Sequence, residues 1–190
     1  MRNGIEKFND ILSKETCELL INHLDANIDI ARNATYSMVN NVMCYELILA
    51  QGSDLDNRVF KGIEKVIQKY CEIYPFFHAG HDMGYQLRKI YDKTRLHIDG
   101  VHKQLRNCSI ILGLNDNFED GEFNFPNQQY TTKLGKGEAL IFPVYFMYPH
   151  YVDKPKGFRY TINTWIREDE TASKKIDSEI KKNVTPIINS

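Results

Sequence analysis

A chain of 190 residues, 42% of them hydrophobic, holds enough apolar material for one well-buried domain and too little for two. With 24 basic against 25 acidic residues, no whole-protein field draws it to nucleic acid or to an anionic membrane. Nothing approaches the roughly 18 consecutive apolar residues of a membrane span, and no apolar run follows Arg2 as a secretory signal would require.

The first third reads as helical. After Ser13, an N-cap candidate, apolar residues fall at Cys17, Leu20, Ile21, Leu24 and Ile28, which is helical spacing. Ser53 or Asp54 can cap a second helix with the stripe Val59, Phe60, Ile63, Val66, Ile67 and Tyr70, ending before Pro75. Each helix has one apolar face and needs something flat to pack on. Between them, Asn27 to Asn41 is polar and turn-rich, a loop by composition, while Met43 to Leu49 can form a strand.

From Tyr85 the texture changes to short apolar or alternating runs cut by turn residues, the mark of an all-β sandwich or barrel. The expected strands are Tyr85–Tyr91, Arg95–Ile98, Arg106–Leu114, Glu122–Phe125, Glu138–Phe142, Met147–Val152 and Arg159–Ile166. Turns fall at Asn115-Asp116-Asn117, Asp120-Gly121, Gly135-Lys136-Gly137 and Pro155-Lys156-Gly157. The sum is a mainly β fold with N-terminal helices, a jelly-roll with helices packed on one sheet. In this reading residues 1–190 form one domain. Residues 1–84 give helical support and lid segments, 85–166 the β core, and 167–190 a charged surface tail. Four scattered cysteines, Cys17, Cys44, Cys71 and Cys108, form no CxxC pair and read as buried thiols in a reducing cytoplasm.

His97-Ile98-Asp99 is the first triplet with chemistry in it. Side chains alternate along a strand, so His97 and Asp99 project to one face and offer a metal two adjacent ligands. Alone, HxD is a common chance pattern. His150 adds a third ligand, in Tyr148-Pro149-His150-Tyr151-Val152, before the turn Asp153–Gly157 and the segment Phe158-Arg159-Tyr160. Read as a hairpin with an even-numbered loop, this puts His150 on one face with Arg159, Thr161, Asn163 and Trp165. An odd loop without a bulge puts them on opposite faces. Two histidines and a carboxylate leave three positions of an octahedral ion open, the facial triad of non-haem Fe(II) oxygenases. Two of those positions suit a 2-oxo acid and one suits O₂. The far carboxylate of a five-carbon 2-oxo acid then needs a fixed bidentate cation, for which Arg159 is the candidate, with Tyr91 first and Tyr85 second as the supporting phenol.

Residues 85 to 166 resemble the 2-oxoglutarate/Fe(II)-dependent dioxygenases, and in particular their prolyl 4-hydroxylase-like branch. The resemblance is carried by Tyr91, His97-Ile98-Asp99, Arg106–Asn115, Asp120-Gly121-Glu122-Phe123, Gly137-Glu138-Ala139-Leu140-Ile141-Phe142-Pro143, His150, Gly157-Phe158-Arg159-Tyr160 and Trp165. Phe8–Leu24 is similar to the family's opening strand and helix. The resemblance implies a double-stranded β-helix, Fe(II), 2-oxoglutarate as cosubstrate and O₂, with turnover to succinate and CO₂ coupled to hydroxylation, and it leaves an ascorbate requirement open. Two departures stand out: the collagen-type members have Lys where this chain has Arg159, and Gly113 stands where some relatives place a second oxoglutarate-binding Tyr.

The branch implies a peptidyl proline in a peptide or protein as the substrate; the polar segment Asn27–Asn41 and the loop Tyr74–Gly84 are candidate lids over a peptide groove. Small molecules are the second candidate, whether a free amino acid, another metabolite or a nucleobase. A cupin-like metal-binding module without turnover is the third. His102 reads as a loop histidine or one just behind the ligands, and His78-Ala79-Gly80-His81 as a loop. Nothing in the sequence fixes the oligomeric state.

Overall fold

Both helices begin where their caps stand. In the computed structural model, which describes residues 3–34, 43–100 and 105–168, the Ser13 side chain accepts from the Thr16 amide at the start of α1, Lys14–Ala26. Ser53 accepts from the Asp56 amide at the start of α2, Asp54–Ile73. Each cap satisfies one of the amides that a helix start leaves without a partner. The buried stripes are Cys17, Leu20 and Leu24 on α1 and Val59, Ile63, Val66 and Tyr70 on α2. Ile28 lies beyond the end of α1, and Phe60, expected in the stripe, is 45% exposed.

Among the described residues, eleven strands follow in chain order: β1 Glu6–Phe8, β2 Arg32–Ala34, β3 Cys44–Ile48, β4 Gln86–Ile90, β5 Thr94–His97, β6 Arg106–Gly113, β7 Phe123–Phe125, β8 Tyr130–Thr132, β9 Ala139–Pro143, β10 His150–Val152 and β11 Arg159–Arg167. They make a seven-stranded sheet in the order β1-β9-β6-β11-β4-β3-β2 and a four-stranded sheet in the order β5-β10-β7-β8. Leu87, Cys108, Ile110, Leu112, Ile141 and Ile162 of the larger sheet pack with the helices. Its opposite face meets the smaller sheet in a second apolar cluster with Ile111, Leu140, Phe123, Phe125 and Val152. The alternation of β6 and β9 thus serves two cores, while the cavity faces of β4 and β11 line the site between the sheets. This is the expected mainly β jelly-roll with helices on one sheet.

Two expectations change. The polar stretch after α1 is not all loop: Arg32–Ala34 pairs antiparallel with β3 and extends the larger sheet, while residues 35–42 lie outside the described set. And β10 and β11 are not a hairpin. β10 pairs with β5 and β7, whereas β11 pairs with β4 and β6. The turn between them carries the chain from one sheet to the other, fastened by the Glu119–Lys156 bridge. Sequence adjacency suggested pairing; burial of both faces of β11 between helices and the smaller sheet overrides it. The tail expectation beyond residue 168, and His102, fall outside the described residues.

Candidate active site

His97 ends β5 and stands directly opposite His150, the first residue of β10. Asp99 follows two residues later, just past the strand. The turn there is tight: the Gly100 amide donates to the Val144 carbonyl, and a Cβ on Gly100 would come within 2.6 Å of that oxygen. His97 Nε2 lies 3.3 Å from Asp99 Oδ1 and His150 Nε2 lies 3.9 Å from Asp99 Oδ2. One ligand atom from each of the three fits within 4.8 Å of the others, and among the described residues no other group of His, Cys, Asp and Glu converges so.

Their surroundings fix how these groups point. His97 Nδ1 sits 2.7 Å from the Arg95 carbonyl and His150 Nδ1 3.2 Å from the Tyr148 carbonyl. A carbonyl only accepts, so each Nδ1 carries a proton and each Nε2 is the nitrogen that faces the shared space, the arrangement that orients imidazole ligands. Ser109 Oγ donates to Asp99 Oδ2 at 2.5 Å, and Arg106 donates to the Asp99 backbone carbonyl. Phe125 and Phe142 flank the His150 ring at 5.3 and 4.7 Å between centroids. Burial alone would push the Asp99 carboxyl up; the hydrogen bonds from His97 and Ser109 and the nearby His150 outweigh it and hold the carboxyl well below the usual range. Burial lowers the His150 imidazole. His97 is also disfavoured as a cation by burial, but its bond to Asp99 wins and raises it.

Arg159, the first residue of β11, reaches the same pocket from the other sheet. It is 4% exposed, its Nη1 donates to the Gly121 carbonyl at 3.3 Å, and its guanidinium lies 4.8 Å over the Phe123 ring. Its Nε has no partner, and no carboxylate among the described residues pairs with it. Burial pulls its pKa from 12.5 down to about 10. A charged fork held dry beside a ligand cluster, with no carboxylate among the described residues against it, is a carboxylate site by its chemistry. The sequence reading joined His150 to Arg159 through a hairpin; the structure brings both to the pocket across the two sheets.

Thr161 and Trp165 lie on the cavity face of β11. Thr161 Oγ1 donates to Asn163 Oδ1 at 2.7 Å, and Trp165 packs 3.9 Å from the Arg106 guanidinium; neither lines the pocket, whereas Asn163 does. Tyr85 and Tyr91 are not brought to the site. Odd-numbered residues of β4 face the helices, so Tyr85 is buried there and donates to Asp82 Oδ2 at 2.6 Å, and Tyr91 stacks with Tyr45 at 5.6 Å. Gly113 is on the cavity face, but Leu134 and Gly135 close over it: a Cβ there would run into the Gly135 carbonyl. The residues that sequence reasoning missed are Arg88, Thr94, Ser109 and the Glu46 behind Arg88. Ser109 was legible as the polar residue alternating with Cys108, Ile110 and Leu112; Arg88 and Glu46 needed the pairing of β3 with β4.

Fold and site together define an Fe(II) oxygenase of the double-stranded β-helix type. Residues 85–167 match the family model described as the 2OG-Fe(II) oxygenase superfamily, and this segment is a 2OG-Fe(II) oxygenase domain, whose chemistry uses Fe(II), 2-oxoglutarate and O₂. The protein is thus a 2-oxoglutarate- and Fe(II)-dependent dioxygenase. Comparison with curated proteins gives no match. Among solved structures, the viral collagen prolyl hydroxylase of Paramecium bursaria Chlorella virus-1, in its 2OG complex, shares 18% identity at a TM-score of 0.69, over 88% of this chain and 97% of that one. A Trichoplax adhaerens prolyl hydroxylase bound to a peptide fragment of hypoxia inducible factor shares 15% at 0.72, over 88% and 85%. A Pseudomonas putida prolyl-4-hydroxylase shares 13% at 0.71, over 87% and 93%. These likenesses establish the shared architecture.

Proposed function

We propose that His97, Asp99 and His150 hold Fe(II), that Arg159 binds the far carboxylate of 2-oxoglutarate, and that the enzyme hydroxylates a prolyl residue of a peptide. The observation that carries the cofactor assignment is Arg159: a buried guanidinium with an unpartnered Nε, in the same pocket as the three converging ligands. A metal-binding module without turnover has no use for it. The bound metal supplies oxygen activation coupled to decarboxylation of the 2-oxo acid. The chain's own residues do the rest. The carbonyls of Arg95 and Tyr148 set the imidazole tautomers, Ser109 holds the Asp99 carboxylate, and Phe125 and Phe142 keep water from His150.

The prolyl substrate rests on analogy of fold, supported by the printed identities of the three structures above, one of them with a peptide bound. No helix among the described residues is long and apolar enough to cross a membrane, and all four cysteines are free, which supports a reducing compartment such as the cytoplasm.

The test is anaerobic addition of Fe(II) and 2-oxoglutarate, read by the visible metal-to-ligand charge-transfer band, with Asp99→Ala beside the parent. The band forms with the parent and is lost in the variant; iron-loaded, folded parent protein without a band refutes the assignment. A panel of proline-containing peptides and free metabolites, screened by mass for one added oxygen, then tests the substrate. Product from a metabolite and from no peptide refutes the prolyl assignment.

A further inference from the structure

Across the cavity face of the larger sheet runs a row of charged residues that the triad and Arg159 leave unexplained. Register places Arg32 of β2 opposite Glu46 of β3, Glu46 opposite Arg88 of β4, and Arg88 opposite Thr161 of β11. Arg32 Nε donates to Glu46 Oε1 at 2.7 Å and Arg88 Nε to Glu46 Oε2 at 2.6 Å. Gln86 Oε1 accepts from Arg88 Nη2. Glu46 and Arg88 are 2% and 5% exposed, whereas the Arg32 side chain is 64% exposed. One carboxylate therefore serves two guanidiniums, one in solvent and one dry.

A buried ion pair of this kind is a poor stabilising device, because desolvation offsets most of the attraction and an apolar pair of similar size does as well. The neighbouring cavity-face positions Ile90 and Ile111 are in fact apolar. Arg88 instead lines the pocket together with the triad and Arg159. It also lies toward the triad. Trp165, 6.0 Å from the Arg88 guanidinium, stands opposite Ser109, and Ser109 holds Asp99. Burial pulls Arg88 down to about 9, with Asp99 the strongest charge opposing that. Glu46 and Gln86 fix the plane of the fork, so little orientation is left to freeze when an anion arrives.

We propose that Arg88 is a second carboxylate-binding residue of the pocket, positioned by Glu46 at the triad end while Arg159 serves the other end. The proposal rests on the cofactor assignment above. Its carboxylate has two possible sources with the same chemistry: the keto-acid end of 2-oxoglutarate, or the free α-carboxylate of a prolyl residue that ends its peptide.

The experiment is calorimetric titration of the Mn(II)-loaded, full-length protein. The probes are 2-oxoglutarate, 2-oxobutyrate (which lacks the far carboxylate), and, with 2-oxoglutarate bound, N-acetyl-L-proline against N-acetyl-L-prolinamide. Arg88→Lys and the double variant Arg88→Met/Glu46→Gln, which leaves no buried charge alone, are compared with the parent, each checked for a cooperative melt. If the cosubstrate supplies the carboxylate, the double variant binds both 2-oxo acids about 10- to 100-fold more weakly, with partial rescue in Arg88→Lys. If the substrate supplies it, 2-oxo acid affinity is kept and the parent's preference for the acid over the amide disappears. Either pattern supports the proposal. Unchanged affinities for all four probes in folded variants overturn it while the cofactor assignment stands; a parent that does not bind 2-oxoglutarate removes both.

Discussion

Arg159→Met should stabilise the ligand-free protein and abolish its response to 2-oxoglutarate. The guanidinium is fully dry, and its fall from 12.5 to about 10 corresponds to about 3 kcal/mol against holding the charge there, at 1.36 kcal/mol per tenfold in proton affinity. Two contacts offset part of that: the Phe123 ring, worth about 1 kcal/mol, and the 3.3 Å bond to the Gly121 carbonyl, worth about another. Methionine fills similar space against Phe123 with nothing to desolvate. The net gain is about 1 kcal/mol, or roughly 2–4 °C in Tm for a chain of this size. The assay is thermal unfolding of the Mn(II)-loaded protein with and without 2-oxoglutarate. At a ligand concentration about 100 times its Kd the parent gains about 2.7 kcal/mol, and the variant gains nothing measurable. A variant less stable than the parent without ligand, or one that keeps the ligand-induced rise, would falsify the view of Arg159 as a charge buried for an absent anion.

Two further outcomes follow from packing. Gly113→Ala places a methyl group against the Gly135 carbonyl and Leu134 and should cost about 1–3 kcal/mol in urea unfolding; an unchanged midpoint would show that the 134–135 segment yields freely. At pH 8, iodoacetamide should label Cys71 alone in the native protein and all four cysteines in urea. Burial pushes Cys17 up to about 11 and Cys44 to about 12, raises Cys108 further still, and the thiolate is the reactive form. Labelling of native Cys44 would mean that the pocket wall opens.

The parts of this molecule that were legible in sequence are those whose cause is local. Ser13 and Ser53 cap helices because a hydroxyl reaches an amide three residues on, and all seven strands expected after residue 84 are found, with ends shifted by a few residues at most. His97 and Asp99 share a face because two residues make one pleat. The short β2 and β8 were not separately placed, and β1 only through the likeness of Phe8–Leu24 to the family's opening strand and helix: three residues each are below the length at which alternation can be read, and their strand state comes from the neighbour they pair with.

Arg88 marks the limit from the other side. In Gln86-Leu87-Arg88-Lys89-Ile90 strict alternation breaks at Lys89 and Ile90, and composition makes Arg88 look like the solvent face and Leu87 the buried one. Both are buried, because β4 is covered by helices on one face and by the second sheet on the other. The tyrosines on either side were judged by their chemistry and not by parity, which sent Tyr85 and Tyr91 to the pocket in expectation and to the helix side in fact. Parity decides the matter once a single residue of the strand is anchored, and β11 supplies the anchor: Arg159 opposite Ile90 and Thr161 opposite Arg88 put the even-numbered residues of β4 in the pocket. A polar residue of β4 in phase with Arg159 across the paired strand therefore faces the cavity, and that pairing is what places Arg88 in the pocket with the triad and Glu46 behind it.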